Sequence, residues 1–419
     1  MEPRNIVFME KINSLIRFTL YVMIFMFPIG KAWVEICFFV SLILLLIKRA
    51  FGRNLCIPAS ILNVPLIFYI AAGLLSVAAS VHFGISLRAF FSKFLEGIVL
   101  FFIVIEVINK KAHLQMAVKA ALCAAGFICL NGIMQYYVTG GYDFIYARQM
   151  IRDGITSTFN HPNDLAGYLL LALFLTAGVL AGGAKTISRA GKYTMKDARF
   201  LGLLCLFGFI ALSVILTKSR AAYLGAVVGV IFLLFLVDKK ALFILLLACA
   251  GLAIVYSFVP GRNLDLLRLA PDSIREMFQN RTKTYLDVVD MIKAGPVFGH
   301  GLNTFMRCFE TYKNKTVWTG HMYAHNCYLQ MAAEMGIFGL LTFLWVVFTL
   351  FRRALSALGR DRDETDFLMA GLLSGLLAFL SQSGLDTNFY SVQLNAAFWL
   401  ITGILVSAYN IKTGQYGNR

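Results

Sequence analysis

The sequence predicts an all-α polytopic membrane protein of about twelve transmembrane helices, with one large extracytoplasmic loop containing amphipathic helices. Three observations carry this expectation. Hydrophobic residues make up 59% of the 419 residues and charged residues only 14%, a balance too apolar for a chain that must cover itself with a water-soluble surface. The apolar residues fall in blocks of spanning length, joined by short polar segments. The stretch from Pro260 to Asn326 interrupts this pattern and reads as a long soluble loop.

The apolar blocks place spans near 15–30, 32–47, 61–80, 91–109, 114–137, 163–183, 200–217, 220–237, 241–258, 327–350, 367–386 and 392–409. The chain thus divides into nine spans over 1–258, a long loop over 259–326, and three spans with a tail over 327–419. The first span follows Arg4, Lys11 and Arg17 but lacks a small-residue cleavage site, so it reads as a retained helix and not a removed signal peptide.

Basic residues set the orientation. With the N-terminus inside, the inner segments hold 22 of the 38 Lys and Arg residues, the short outer loops hold seven, and the long loop holds nine. Long loops count little in the positive-inside rule, so both termini are expected in the cytoplasm and the long loop outside. The net charge of +16 is largely this topological signal. No compact basic domain exists to bind nucleic acid. Of the eight cysteines most lie within spans, including Cys37, Cys123, Cys129, Cys205 and Cys249; Cys308 and Cys327 are the pair that could meet on the outer face.

Within the long loop, Pro271 to Gly295 opens on Asp272-Ser273, a helix-capping pair, and continues as an amphipathic helix. Ile274, Phe278, Tyr285, Val288 and Ile292 return to one face, and Arg281 falls in the middle of it. A guanidinium on a buried stripe must meet an anion, a carboxylate or a pocket.

Basic residues on the outer face run against the topology rule and are informative for that reason. Lys218 and Arg220 occupy the tight connection Thr217-Lys218-Ser219-Arg220; they either snorkel to lipid headgroups or face a ligand. Arg148 and Arg152 precede the sixth span, followed by Asn160-His161-Pro162-Asn163-Asp164. Pro162 and Asp164 read as a helix start, which leaves Asn160 and His161 as site candidates at the rim. The loop ends in His321-Met322-Tyr323-Ala324-His325-Asn326. Two histidines four apart could ligate a metal, but the internal Glu of the zinc-protease helix is missing. A neutral imidazole near pH 7 suits a general base acting on a sugar hydroxyl, with Asn326 beside it. Asp386 closes the eleventh span in Ser383-Gly384-Leu385-Asp386 and is expected to pair with an Arg or His. Tyr312, Trp318 and Tyr323 could stack on sugar rings or form an interfacial aromatic belt. Arginines in a low-dielectric rim bind phosphate bidentately and stabilise it as a leaving group, with no metal or other cofactor required.

Four motifs resemble the O-antigen ligase and polymerase superfamily of bacterial inner-membrane proteins. They are Thr217-Lys218-Ser219-Arg220-Ala221-Ala222-Tyr223, then Arg281 followed by Gly295-Pro296-Val297-Phe298-Gly299-His300-Gly301-Leu302-Asn303-Thr304-Phe305, then His325-Asn326-Cys327-Tyr328-Leu329 with Glu334-Met335-Gly336-Ile337-Phe338-Gly339-Leu340, and the Asn160-His161-Pro162-Asn163 loop. The resemblance implies an inverting, metal-independent transfer of glycan from undecaprenyl pyrophosphate in a Gram-negative inner membrane. The acceptor it implies is the lipid A–core sugar in ligases, or another lipid-linked repeat unit in polymerases. By position, Arg220 and Arg281 would hold the pyrophosphate, His325 would take the acceptor proton, and Asp386 would support it. Lys218, Arg148, Arg152, His161, Asn160, Asn326 and His321 are expected to line the substrate site, with His321 the alternative base. The partners so implied are the lipid-linked donor, the glycolipid acceptor and membrane lipids, with no nucleic acid. A ligase is favoured over a polymerase. A flippase for the same lipid-linked sugar ranks last, because the unusual polar residues gather at the outer rim and not at the bilayer midplane, where transporters bind their cargo.

Overall fold

The computed structural model describes all residues except 1–2, 53–57, 190–197, 242, 245–271, 315–322 and 416–419, with side chains of 3–7, 186–189 and 272–280 also left aside. The regular secondary structure among the described residues is helical, with only two isolated β-bridges, in the segment 142–154. The helices are α1 (Pro3–Met26), α2 (Lys31–Gly52), α3 (Asn63–Ala78), α4 (Phe83–Ala89), α5 (Glu96–Val107), α6 (Lys111–Tyr137), α7 (Pro162–Arg189), α8 (Ala198–Leu216) and α9 (Arg220–Val237). They continue with α10 (Asp272–Ala294), α11 (Phe305–Tyr312), α12 (Cys327–Ser356), α13 (Glu364–Ser383) and α14 (Val392–Thr413).

Seven of the described helices, α6 to α9 and α12 to α14, are long and apolar enough to cross a membrane. α8 and α9 leave most of their apolar side chains uncovered. An apolar surface of that extent requires lipid, and the chain is a multi-pass membrane protein. The expected span at 241–258 lies largely outside the described residues; every other expected apolar block coincides with a helix. Two differ in form. The block at 91–109 is the end of a longer rod that begins at Phe83 and passes through a π-helical turn at Phe90–Leu95. The block at 367–386 ends as helix at Ser383, which puts Asp386 in the turn beyond it.

Local chemistry sets the helix starts. Ser219 caps α9 through Ala222 N at 3.4 Å, and Asn326 caps α12 through Tyr328 N and Leu329 N at 3.0 and 3.1 Å. Asp363 and Asp366 form a capping box at the start of α13. α7, α13 and α14 are the most enclosed of the long helices. α7 and α13 meet at Gly178 and Gly371, where neither has room for a side chain, the close approach that small residues permit between membrane helices.

The long segment before α12 is bolted to that helix. α12 breaks at Gly336, whose φ of 70° and ψ of 177° belong to a region that essentially only glycine occupies. The break releases backbone groups that the motif 295–305 takes up. Ile337 N donates to Pro296 O at 2.8 Å, His300 N to Ala333 O at 3.0 Å, and Gly301 N to Glu334 O at 2.8 Å. Glu334 is buried inside this junction, accepting from Asn303 N at 2.8 Å and Phe305 N at 3.1 Å. Beside it, Val288 and Met291 of α10 pack on Phe305, Phe309, Ala324 and Ala333 in a small separate core.

A side chain at Gly336 would meet Val297 O at 2.0 Å, whereas one at Gly202 of α8 meets nothing within 4 Å. Gly336→Ala is therefore expected to cost on the order of 2 kcal/mol or more. Heat unfolding in detergent should show a lowered midpoint for it, and an unchanged one for Gly202→Ala.

Candidate functional site

Three of the expected catalytic residues and one expected substrate-site residue, His161, arrive at one end of the bundle on separate elements. α10 brings Arg281, the joint before α12 brings His325, the turn after α13 brings Asp386, and the start of α7 brings His161. On α10, Arg281 is half-buried and lies on the same face as Thr284, Tyr285, Val288, Met291 and Ile292, as the spacing requires. Its Nη1 donates to Leu385 O at 3.1 Å, so the guanidinium rests against the residue preceding Asp386. The stripe is therefore only partly apolar, and its cation is anchored to the turn that carries the acid. Ile274 and Phe278 lie outside the described side chains.

His325 and Asp386 form the centre of this cluster. Asp386 is only 6% exposed. Its Oδ1 accepts from Thr387 N at 2.8 Å and stands 3.9 Å from His325 Nδ1. Among the described residues, His325 Nδ1 and Asp386 Oδ2 are buried atoms with no hydrogen-bond partner. A gap of 3.9 Å is longer than a hydrogen bond, but catalytic pairs commonly tighten only when substrate is present. His325 has a left-handed backbone, φ 49°, a conformation that costs a branched or bulky residue of order 1 kcal/mol or more. The Tyr285 hydroxyl of α10 donates to His325 O at 3.2 Å, and Cys327 Sγ donates to Asp386 O at 3.1 Å, so both members are gripped from neighbouring elements. Cys308 and Cys327 are free thiols, so the disulfide that their expected outer position would allow is not formed.

Asn326 is held by its cap: its side-chain oxygen accepts two amides of α12. His161 likewise caps α7, its Nδ1 accepting from Asn163 N at 3.2 Å, which makes the structural role of this rim residue visible. It also senses the centre. The atoms crowding its ring lower its pKa, Arg152 and His325 push the same way, and the Asp386 carboxylate opposes them. Lys218, left-handed at φ 54°, sits 4.0 Å from Asp153 and is well exposed. Arg220 is exposed at the first turn of α9. α9 runs antiparallel to α13 and touches it where Gly225 meets Ala378 O.

Arg148 and Asn160 belong to an adjoining cavity of about 340 Å³, which Asp164, Tyr323, Thr387 and Tyr390 also line. Arg148 donates from Nη1 to Thr158 O and lies 4.8 Å from the Tyr146 ring. Tyr323 faces Tyr390 with ring centroids 5.9 Å apart, while Tyr312 packs on His300. His321 and Trp318 lie outside the described residues. Sequence reasoning missed Tyr285 as a clamp and Glu334 as the anchor of the loop. A carboxylate eight residues past the cap, at the position where a membrane helix breaks, was the available signal for the second.

The electrostatic coupling has a measurable sign. Asp386→Asn removes the charge that raises the His161 pKa, so the imidazole should titrate at still lower pH; Arg152→Gln should move it upward. Histidine-labelled NMR titration in micelles checks both shifts, and an unmoved midpoint in the two variants would show that the groups are not coupled.

No curated protein matches the chain. Residues 204–344 match a protein family described as O-antigen ligase. The matched stretch runs from within α8 to within α12 and contains Lys218, Arg220, Arg281 and His325, while Asp386, His161 and Arg148 fall outside it. This stretch carries three of the four motifs, and the match supports the resemblance to the O-antigen ligase and polymerase superfamily over that part of the chain.

Proposed function

We propose that the protein is an O-antigen ligase that moves a glycan from undecaprenyl pyrophosphate onto a lipid A–core sugar. One observation carries this reading: His325, partly open to the outside, turns a buried and unsatisfied Nδ1 toward the buried Asp386 carboxylate, beside an arginine that is anchored to the same turn. Asp386 faces Nδ1 of His325 and keeps the proton on that nitrogen, leaving Nε2 as the base. The acceptor hydroxyl oxygen attacks the anomeric carbon and its proton passes to His325 Nε2. The bond from that carbon to the pyrophosphate oxygen breaks, and polyprenyl pyrophosphate leaves with the electron pair. Arg281 and Arg220 stabilise the charge on the leaving group, the task a metal ion performs in other transferases. Inversion follows from a single displacement.

The same reading takes the chain as twelve spans in the inner membrane, with both termini cytoplasmic and the long loop periplasmic. Polymerisation of lipid-linked repeat units uses the same chemistry with another acceptor. The ligase is favoured because one long loop carries both the arginine-bearing helix and the His-Asn motif.

A deletion strain examined by lipopolysaccharide gel separates the two. Rough core with accumulated lipid-linked polymer supports the ligase, whereas core bearing a single repeat unit supports the polymerase. Restoring the gene with His325→Ala should lower transfer by roughly 10²- to 10⁴-fold, the usual contribution of a positioned base. Arg281→Ala should lower it on the order of 10²-fold. Full capping by either variant at normal membrane levels would remove the catalytic assignment. Chelator should leave turnover unchanged, and restoration of a chelated enzyme by a divalent ion would sink the metal-free mechanism.

A further inference from the structure

Asp386 sits between two differently built neighbours. Leu385 before it takes Arg281 through its carbonyl, and Thr387 after it lines the polar cavity of about 340 Å³. That volume lies in the range of small-molecule sites. Its walls are unlike a lipid groove. Tyr323 and Tyr390 offer ring faces near one another, Asn160, Thr387 and Gln393 offer hydrogen-bonding groups, and Lys31 and Arg148 bring two cations. The acids near these cations are Asp164 in the wall itself, Glu96, whose carboxyl feels the Lys31 charge, and Glu35, which pairs with Lys31 at 3.3 Å in an exposed i,i+4 contact. Exposed pairs of this kind are weak and readily exchanged for a better anion.

Arg148 is built in more firmly. Its amide donates to Asp143 Oδ2 at 2.7 Å, its own carbonyl accepts from Gln135 Nε2 at 2.9 Å, and its guanidinium is braced by Thr158 O and the Tyr146 ring. Asp143 is spent on backbone amides, accepting from Ile145 and Tyr146 at 2.9 and 2.8 Å as well. A braced guanidinium over a polar cavity, with its neighbouring carboxylate occupied elsewhere, is a site for a planar or tetrahedral anion.

We infer that this cavity is the acceptor subsite and that it selects an acceptor sugar bearing an anionic group, a phosphate or a carboxylate, held by Arg148 and Lys31. The inference rests on the glycosyl-transfer reading above. In a single inverting displacement the nucleophile enters opposite the leaving group; with the pyrophosphate arginines on the Leu385 side, the Thr387 side is left for the acceptor. The rings of Tyr323 and Tyr390 stack on the sugar, and the anion fixes which hydroxyl reaches His325.

The test uses the full-length protein in nanodiscs and three soluble core-type oligosaccharides: one phosphorylated, one carrying a uronic acid, and one neutral. Binding is measured directly for the wild type, Arg148→Gln, Arg148→Lys and Lys31→Gln, and transfer from a lipid-linked donor is measured beside it. The expected result is tighter binding of at least one anionic glycan than of the neutral one. Arg148→Gln should weaken it about 10-fold or more, Arg148→Lys should recover part of it, and the neutral glycan should not respond. In turnover, KM for the anionic acceptor should rise while KM for the donor stays. Which of the two anionic glycans responds identifies the group recognised. Equal binding of all three glycans, an equal loss for all three in Arg148→Gln, or a rise in donor KM alone would overturn the proposal. Selective anion binding without transfer of any glycan would leave the subsite standing and remove the glycosyl-transfer reading instead.

Discussion

The architecture hangs on a carboxylate buried where a membrane helix is broken. Glu334 gathers the amides of Asn303 and Phe305, while its own carbonyl accepts from Gly301 and from Ser76 Oγ of α3 at 2.7 Å. A buried carboxylate without such donors would be costly, and a broken helix without partners would expose unpaired backbone groups to lipid. Each defect supplies what the other lacks. The result ties the segment 295–305 to α12 and α3, and with it α10, whose Val288 and Met291 sit in the same junction. Arg281 and Tyr285 are thereby held over the mouth of the bundle by contacts that involve no ligand.

Among the described residues, the ionisable groups at the two ends of the bundle are satisfied to different degrees, whereas neutral polar atoms without partners occur at both, Asn13 Oδ1 and Asn410 Oδ1 among them. At the end away from the site, charges are paired: Glu106 meets Lys48 at 2.5 Å and Arg49 at 2.8 Å, and Asp366 meets Lys412 while accepting two backbone amides. At the other end, His325 Nδ1 and Asp386 Oδ2 are left without partners among the described residues, and His325 holds a left-handed backbone. Burial without partners and local strain both cost free energy, and proteins concentrate such costs where a ligand or a reaction relieves them. The contrast within one molecule points to the His325 end as the working end.

Much of the site was legible in the chain order of residue types. Arg281 stood out because a helical period put a charge on a face otherwise apolar, and the face is turned inward in the fold. His325 and Asp386 stood out as polar groups at span ends, where desolvation makes an unpaired charge expensive. Asn326 and His161 carry a structural role as well. Both were singled out by type and place, and both turn out to cap a helix, since a cap and a ligand-binding group use the same atoms at the same kind of position.

What the sequence determined by itself was the helical, membrane-embedded character, the positions of most helices and the identity of the residues with unusual chemistry. These follow from composition and from periods of a few residues, which are local properties. The tertiary structure alone decided that Arg281 rests on Leu385, that Tyr285 clamps His325, and that Asp386 divides an arginine side from a polar cavity. It also decided that α12 breaks at Gly336 around Glu334. Those pairings join residues from about 30 to more than 250 positions apart in the chain, and no local pattern encodes which distant element will fill a given gap. Packing does, because a buried polar group has few affordable partners and only the assembled fold brings the right one within reach.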